Sequence, residues 1–126
     1  MSDKPDEIDM DLIARKNMDL TERLFSEGVK IAYDEDGDTL FITIGSPSEG
    51  ITEQIVDGLY YRIDPVTLKV VGCIIIGFES DVLTHNKLLN DLFRDGFEQL
   101  RRQGDCIEWE GQQAQKVKPI FELSMR

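Results

Sequence analysis

The chain has 126 residues, 40% of them hydrophobic, and a formal net charge of −11. This length and composition predict one globular domain with a buried core, and they argue against a disordered chain. The negative charge repels phosphate and argues against direct nucleic-acid binding, unless Arg94, Arg101 and Arg102 form a local exception. A basic protein partner would suit the charge. The alternative is an acidic surface that serves only to keep the protein soluble, which is common.

No membrane segment or secretion signal is predicted. No apolar run approaches the roughly 18 residues that a bilayer span needs, and the acidic start MSDKPDEIDMD has no apolar core. Cys73 and Cys106 stand in apolar surroundings without a CxxC motif or a Cys/His cluster, which predicts reduced thiols rather than a zinc site. We therefore expect a cytoplasmic protein without a metal or cofactor.

An N-terminal helical arm is predicted within residues 1–28, with a helix over much of 5–26. Pro5 suits a first helical turn, and the polar patch at residues 15–17 is a point where the helix would divide. Gly28 is a stop signal. The apolar stripe of this helix is formed by Ile8, Leu12, Ile13, Leu20 and Leu24.

Residues 29–78 predict an antiparallel sheet of four strands arranged as two hairpins. Apolar and other residues alternate over much of this stretch, as in strands with one buried face. Asp36-Gly37 marks the first hairpin turn, where glycine would supply a positive φ. Asp57-Gly58 marks a bulge or a tight turn, and residues 64–67 form another turn around a proline.

The last predicted strand is apolar on both faces. Residues 70–76 read VVGCIII, without the alternation expected of a strand that is solvated on one side. The second face of the sheet should therefore be covered. The N-terminal helix, a later helix and a second subunit are the three candidates.

Residues 79–126 predict a helix over 81–103, followed by a short C-terminal strand or tail. Apolar residues recur at helical spacing before Gly104. Residues 106–109 resemble a short strand, and residues 120–123 resemble a strand or a docked tail. The fold class is thus α+β: a four-stranded antiparallel meander between an N-terminal helix and a central-to-C-terminal helix.

Part of the chain resembles a known domain family. The matching positions are Tyr33-Asp34, residues 38–42, Glu53, residues 57–60, Ile63-Asp64 and Val71-Gly72. Over residues 29–76 these resemble domain-of-unknown-function family 2283, a small bacterial and archaeal domain. The resemblance implies a four-stranded antiparallel meander and no particular reaction. Some members appear beside small toxin-like proteins, which implies an antitoxin or binding role.

Two departures from the family pattern agree with each other. The family has a glutamate where this chain has Ile74, and the family domain is shorter, without the helical ends. The two differences fit together, because an uncharged Ile74 on the outer face suits a sheet whose outer face is covered by helices. Any role of the family glutamate is therefore in doubt here.

The acidic turn at residues 34–38 partly resembles a cation site. Asp34, Asp36 and Asp38 alternate like the start of a calcium loop, but Thr39 and Gly45 stand where an EF-hand needs glycine and an acid. The two interpretations are a weak site for a divalent ion and a solvated turn without a ligand. We expect the solvated turn.

Catalysis is not expected. His85, the single histidine, stands near Asp81, and Cys73 is a formal nucleophile. An apolar strand raises the pKa of a thiol, however, and makes it inert. No phosphate-binding glycine motif is present.

We therefore predict a non-enzymatic protein-interaction module, expected to be a homodimer and antitoxin-like, with a basic protein as another possible partner. The candidate interaction surface comprises Asp34, Asp36, Asp38, Tyr60, Tyr61 and Trp109. The alternative is a small-molecule-binding protein or enzyme with a pocket between sheet and helix, near Tyr61, His85 and Trp109.

Overall fold

Six antiparallel strands and several short helices make up the described part of the chain. The structure is a computed structural model, and it describes residues 10–46, 49–56, 58–78, 87, 90–91 and 106–122. The strands are β1 (Val29–Asp34), β2 (Thr39–Ile44), β3 (Ile51–Val56), β4 (Leu59–Ile63), β5 (Val70–Ile76) and β6 (Ile107–Trp109). The helices are α1 (Met10–Lys16), α2 (Leu20–Glu27), α3 (Gly111–Ala114), a 3-10 turn (Gln115–Val117) and α4 (Lys118–Glu122).

The α+β class and the antiparallel sheet are confirmed, but the sheet is larger than the predicted four-stranded meander. Its strand order is β3-β4-β5-β2-β1-β6. Strands β3, β4 and β5 follow one another, and β2 lies beside β5, as in a Greek key taken in reverse chain direction. The link between β2 and β3 spans three strand spacings, about 14 Å. Residues 45–50 are long enough for this, because six extended residues reach about 20 Å.

Turn residues explain why residues 51–63, which the four-stranded prediction counts as one strand, form two strands, β3 and β4. Gly58, with φ of 82°, stands between β3 and β4, so the Asp57-Gly58 signal marks a tight turn. In the first hairpin the residue with positive φ is Asp38, at 48°, and not Gly37. Aspartate tolerates this region better than most residues, and a loop of four residues, 35–38, replaces a two-residue turn.

The N-terminal helix divides where the polar patch predicted. Helix α1 ends at Lys16 and α2 begins at Leu20. Asn17, in the break, is 4% exposed, and its side-chain amide donates to the carbonyls of Ile13 (2.8 Å) and Leu68 (3.0 Å). Its carbonyl oxygen accepts from the backbone N–H of Val70 at 2.8 Å. This one side chain therefore joins the helix break to the start of β5.

The core lies on one side of the sheet, and every helix listed above contributes at least one buried residue to it. The strands supply inward-facing side chains such as Ile31, Ile42 and Ile75. The helices supply Ile13, Leu20, Leu24, Ala114, Val117, Ile120 and Phe121. Residues from both ends of the described chain thus share one hydrophobic cluster.

The C-terminal predictions have mixed outcomes. Residues 107–109 form the expected short strand, which pairs with β1. Residues 118–122 are helical, so a strand at 120–123 is wrong for the part that is described, although this segment does dock on the core. The helix predicted over 81–103 lies outside the described residues, apart from residues 87, 90 and 91.

None of the described helices combines the length and the apolar character that crossing a bilayer requires.

Candidate functional site: the second face of the sheet

Side chains along each strand alternate between the two faces of the sheet. In β2, Leu40, Ile42 and Ile44 belong to the core cluster. Phe41 and Thr43 therefore point to the opposite side, because successive strand residues face opposite ways. We call this side, opposite the core cluster, the second face.

An apolar row crosses the second face. The strand register pairs Ala32 with Phe41, Phe41 with Ile74, and Ile74 with Tyr60. Directly paired residues lie on the same face, so these four side chains form a continuous row across β1, β2, β5 and β4. Phe41 is 40% exposed, and Ile74 and Tyr60 are half-buried. Phe41 therefore keeps the most accessible surface of the row, and smaller parts of Ile74 and Tyr60 are accessible beside it.

A second row, which we call the polar row, runs parallel to the apolar row, two residues away along each strand. Its register pairs Lys30 with Thr43, Thr43 with Gly72, and Gly72 with Arg62. Gly72 is buried between its neighbours, and a Cβ there would lie 2.5 Å from the carbonyl oxygen of Ile42. Glycine is therefore required by the pairing of β2 and β5. No side chain therefore projects from the centre of this row.

The charges on the second face balance. Lys30 and Arg62 are its cations, and Asp34 and Glu108 are its anions among the described strand residues. Lys30 and Glu108 form an exposed ion pair with an N–O distance of 3.7 Å. Ile76, 47% exposed, adds a further apolar side chain near this balanced surface. The second face therefore differs from the chain as a whole, which carries −11.

The two edges of the sheet are less suited to binding a partner strand. Strand β3 is an edge, and Glu53 on it is paired with the buried Tyr61, so this charged side chain lies on the core side. A register shift interrupts β3 between Gln54 and Val56. The other edge, β6, has three residues. Inward charges, bulges and short edge strands all discourage strand addition.

The acidic turn is organised by hydrogen bonds within the protein. The hydroxyl of Tyr33 donates to Oδ1 of Asp38 at 2.6 Å. The backbone carbonyl of Asp38 accepts from the N–H groups of Gly77 (2.9 Å) and Phe78 (3.0 Å). Asp34 and Asp36 are exposed. Among the residues described, no group of three or more His, Cys, Asp or Glu has an arrangement that could hold a metal ion.

Tyr61 and Trp109 are placed in the core. Tyr61 is fully buried, and its hydroxyl lies 2.6 Å from the carbonyl oxygen of Phe121 and 3.1 Å from that of Ile120. Trp109 is 8% exposed. Their side chains are closed off by the protein, whereas Tyr60 lies on the second face. Of the six candidate surface residues, Asp34, Asp36, Asp38 and Tyr60 keep accessible side-chain surface.

The Cys73 thiol is buried, and burial raises its pKa far above the ordinary value. The thiolate that would act as a nucleophile is therefore disfavoured. His85 and Asp81 lie outside the described residues. The exposed thiol belongs to Cys106, which directly precedes β6.

A shallow cleft opens at one end of the sheet, where β1 begins and β2 ends. Glu27, Lys30, Gly45 and Ser46 line it, and its volume is about 290 Å³. A cavity of about 50 Å³ adjoins it beside the backbone of Gly28 and residues 108–110. Ligand pockets are usually larger than this cavity and more apolar than this lining.

Sequence reasoning missed Phe41 and Ile76 as surface residues. A signal was present for Phe41, because it is a large apolar residue at a position whose neighbours two residues away are threonines. It also missed Asn17, which looked like part of a polar patch. Nothing in the sequence indicates that this side chain reaches Leu68 and Val70, some 50 residues later.

No family model matches the chain, and no curated protein or solved structure has significant similarity to it. The resemblance of residues 29–76 to domain-of-unknown-function family 2283 therefore stays a prediction.

Proposed function

We propose that this protein is a non-enzymatic protein-interaction module that contacts its partner through the second face of the sheet. The observation that carries the proposal is the apolar row of Phe41, Ile74 and Tyr60, with Ile76 beside it. Large accessible apolar side chains grouped on one surface are typical of protein contact sites. Aromatic residues are also enriched at the centres of such interfaces.

An antitoxin-like role in the cytoplasm is the form of this function that the sequence favours. Its support is the predicted family resemblance and the acidic composition. The alternative, a ligand or enzyme pocket near Tyr61, His85 and Trp109, has less support. Two of those three side chains are enclosed by the core, where a substrate would have to displace packed residues.

A photo-crosslinking experiment tests the proposal. Benzoylphenylalanine would replace Phe41 in one variant and Phe25 in a control, and each would be irradiated in the producing cells. Phe25 lies on α2 and is 51% exposed, so it matches Phe41 in type and accessibility but not in location. We expect a discrete protein adduct from position 41 and none from position 25.

Two results would contradict the proposal. One is the absence of any protein adduct at position 41. The other is an equal, diffuse set of adducts at both positions, which would indicate nonspecific contact with an exposed aromatic group. Intact mass identifies each adduct, so a second copy of the chain is distinguished from a different protein.

A further inference from the structure

We infer that the partner which the second face fits is a second copy of this chain, packed face to face about a twofold axis. This inference rests on the proposed function, because it uses the same surface. The axis would lie between the two sheets, parallel to the apolar row and midway between this row and the polar row. Stacked sheets of this kind lie about 10 Å apart.

This symmetry brings unlike rows together. It places Ile74 of each copy over Gly72 of the other, and Phe41 over Thr43. The large side chain of Ile74 thus faces Gly72, which has no side chain. If the two apolar rows faced each other directly, their large side chains would occupy the same space. The rows are two residues apart along each strand, about 7 Å, so both contacts form at once.

The same axis places Tyr60 of each copy over Arg62 of the other. A guanidinium over an aromatic face is a favourable cation–π arrangement. Both side chains are half-buried within one copy, so part of each remains available for the contact. Each such contact occurs twice in the dimer, because a twofold interface repeats every contact.

Charge also favours a second copy over a basic protein at this surface. Two chains of −11 repel one another overall. The second face avoids adding to this repulsion, because Lys30 and Arg62 balance Asp34 and Glu108. A basic partner would instead seek an acidic surface.

Sedimentation at two salt concentrations tests whether the chain pairs with itself. Sedimentation of the purified full chain would be followed from about 1 to 300 µM, at about 50 mM and about 500 mM NaCl. We expect a dimer whose affinity rises with salt, because salt screens the repulsion between the two acidic chains. A monomer at every concentration and both salt levels would overturn the inference.

Phe41→Thr tests the apolar row, with Phe25→Gln as the matched control. We expect Phe41→Thr to weaken dimerisation about 30-fold, since the lost contact is counted twice. The control should leave the dissociation constant within about twofold. Equal effects of the two variants would contradict an interface at the second face. Circular dichroism and a urea titration of each variant show whether it remains folded.

A charge-complementation pair tests the register. Phe41→Lys and Thr43→Asp would each be expected to impair self-association, and a mixture should form a heterodimer in which the new lysine faces the new aspartate. A mixture that stays as monomeric as its components would refute this axis. If the Phe41 crosslink joins the chain to a different protein and never to itself, the twofold inference fails while the proposed function stands.

Discussion

Asn17 provides a sharp test of how the helical arm is attached to the sheet. Replacing it with alanine removes both the amide donor for Leu68 and the acceptor for Val70. Val70 is fully buried, so its N–H would lose its partner in a place that water does not readily reach. An unsatisfied buried group costs about 1–3 kcal/mol. The carbonyl of Ile13 also loses its bond from this amide. With three backbone groups affected, we expect Asn17→Ala to lower the free energy of unfolding by about 3 kcal/mol.

Urea denaturation followed by circular dichroism measures this change. Lys16→Ala is the neighbouring control, because Lys16 is exposed and ends α1. The control should change stability by less than about 0.5 kcal/mol. A loss for Asn17→Ala no larger than that of the control would refute the view that this side chain carries the attachment.

Asn17→Asp refines the test, because it keeps the shape of the side chain and removes its N–H donors. The new carboxylate would face the carbonyl oxygens of Ile13 and Leu68, which raises its pKa in the folded protein, as does burial. A raised folded pKa means that the ionised form destabilises the fold. The free energy of unfolding of the variant should therefore fall furthest below that of the native chain at neutral pH. The deficit should shrink as pH falls through the folded pKa towards the unfolded value of about 3.9.

Three further predictions follow from individual contacts. Tyr61→Phe removes the hydroxyl that contacts α4, and urea denaturation should show a loss of about 1–2 kcal/mol. Asp19 accepts from Lys69 at 2.8 Å, and this hydrogen bond lowers its pKa. Asp19→Asn should therefore cost less than about 1 kcal/mol above pH 4, because the pair is partly exposed, and the loss should vanish as pH falls through the lowered pKa. A thiol reagent should modify Cys106 in the folded protein and reach Cys73 only after unfolding.

Each of these predictions has a clear contrary result. An unchanged stability of Tyr61→Phe would mean that water or another group replaces the hydroxyl. A pH-independent effect of Asp19→Asn would exclude the ion pair with Lys69 as its cause. Rapid labelling of both thiols under native conditions would show that β5 opens far more easily than its burial indicates.

The strand pattern was predictable because it depends on neighbours in the sequence. Alternation placed Ile31, Ile42 and Ile63 on the core side, and the polar patch located the division between α1 and α2. Strand order was not predictable in this way. The pairing of Phe41 with Ile74 depends on a crossing link, and local periodicity carries no information about which strands become neighbours.

The candidate site was predictable in part. The apolar run VVGCIII indicated a strand with apolar residues on both faces, and Ile74 and Ile76 do lie on the second face. The aromatic residues were harder to assign, because adjacent Tyr60 and Tyr61 point to opposite faces and their assignment depends on register. Trp109 illustrates the same limit, since its burial follows from pairing with Val29 in a distant strand.

The pairing of β6 with β1 has a consequence for how the chain folds during synthesis. Val29 pairs with Trp109, so 80 residues separate the two partners along the chain. Contacts between such distant residues form late, because closing a long loop is entropically unfavourable and slows folding. Until Trp109 and α4 have left the ribosome, a nascent chain exposes the flank of β1 and leaves the Tyr61 hydroxyl without its carbonyl partners. We expect the β1–β2 and β3–β4 hairpins to form first, and protease resistance to be acquired only after the C-terminal helices dock.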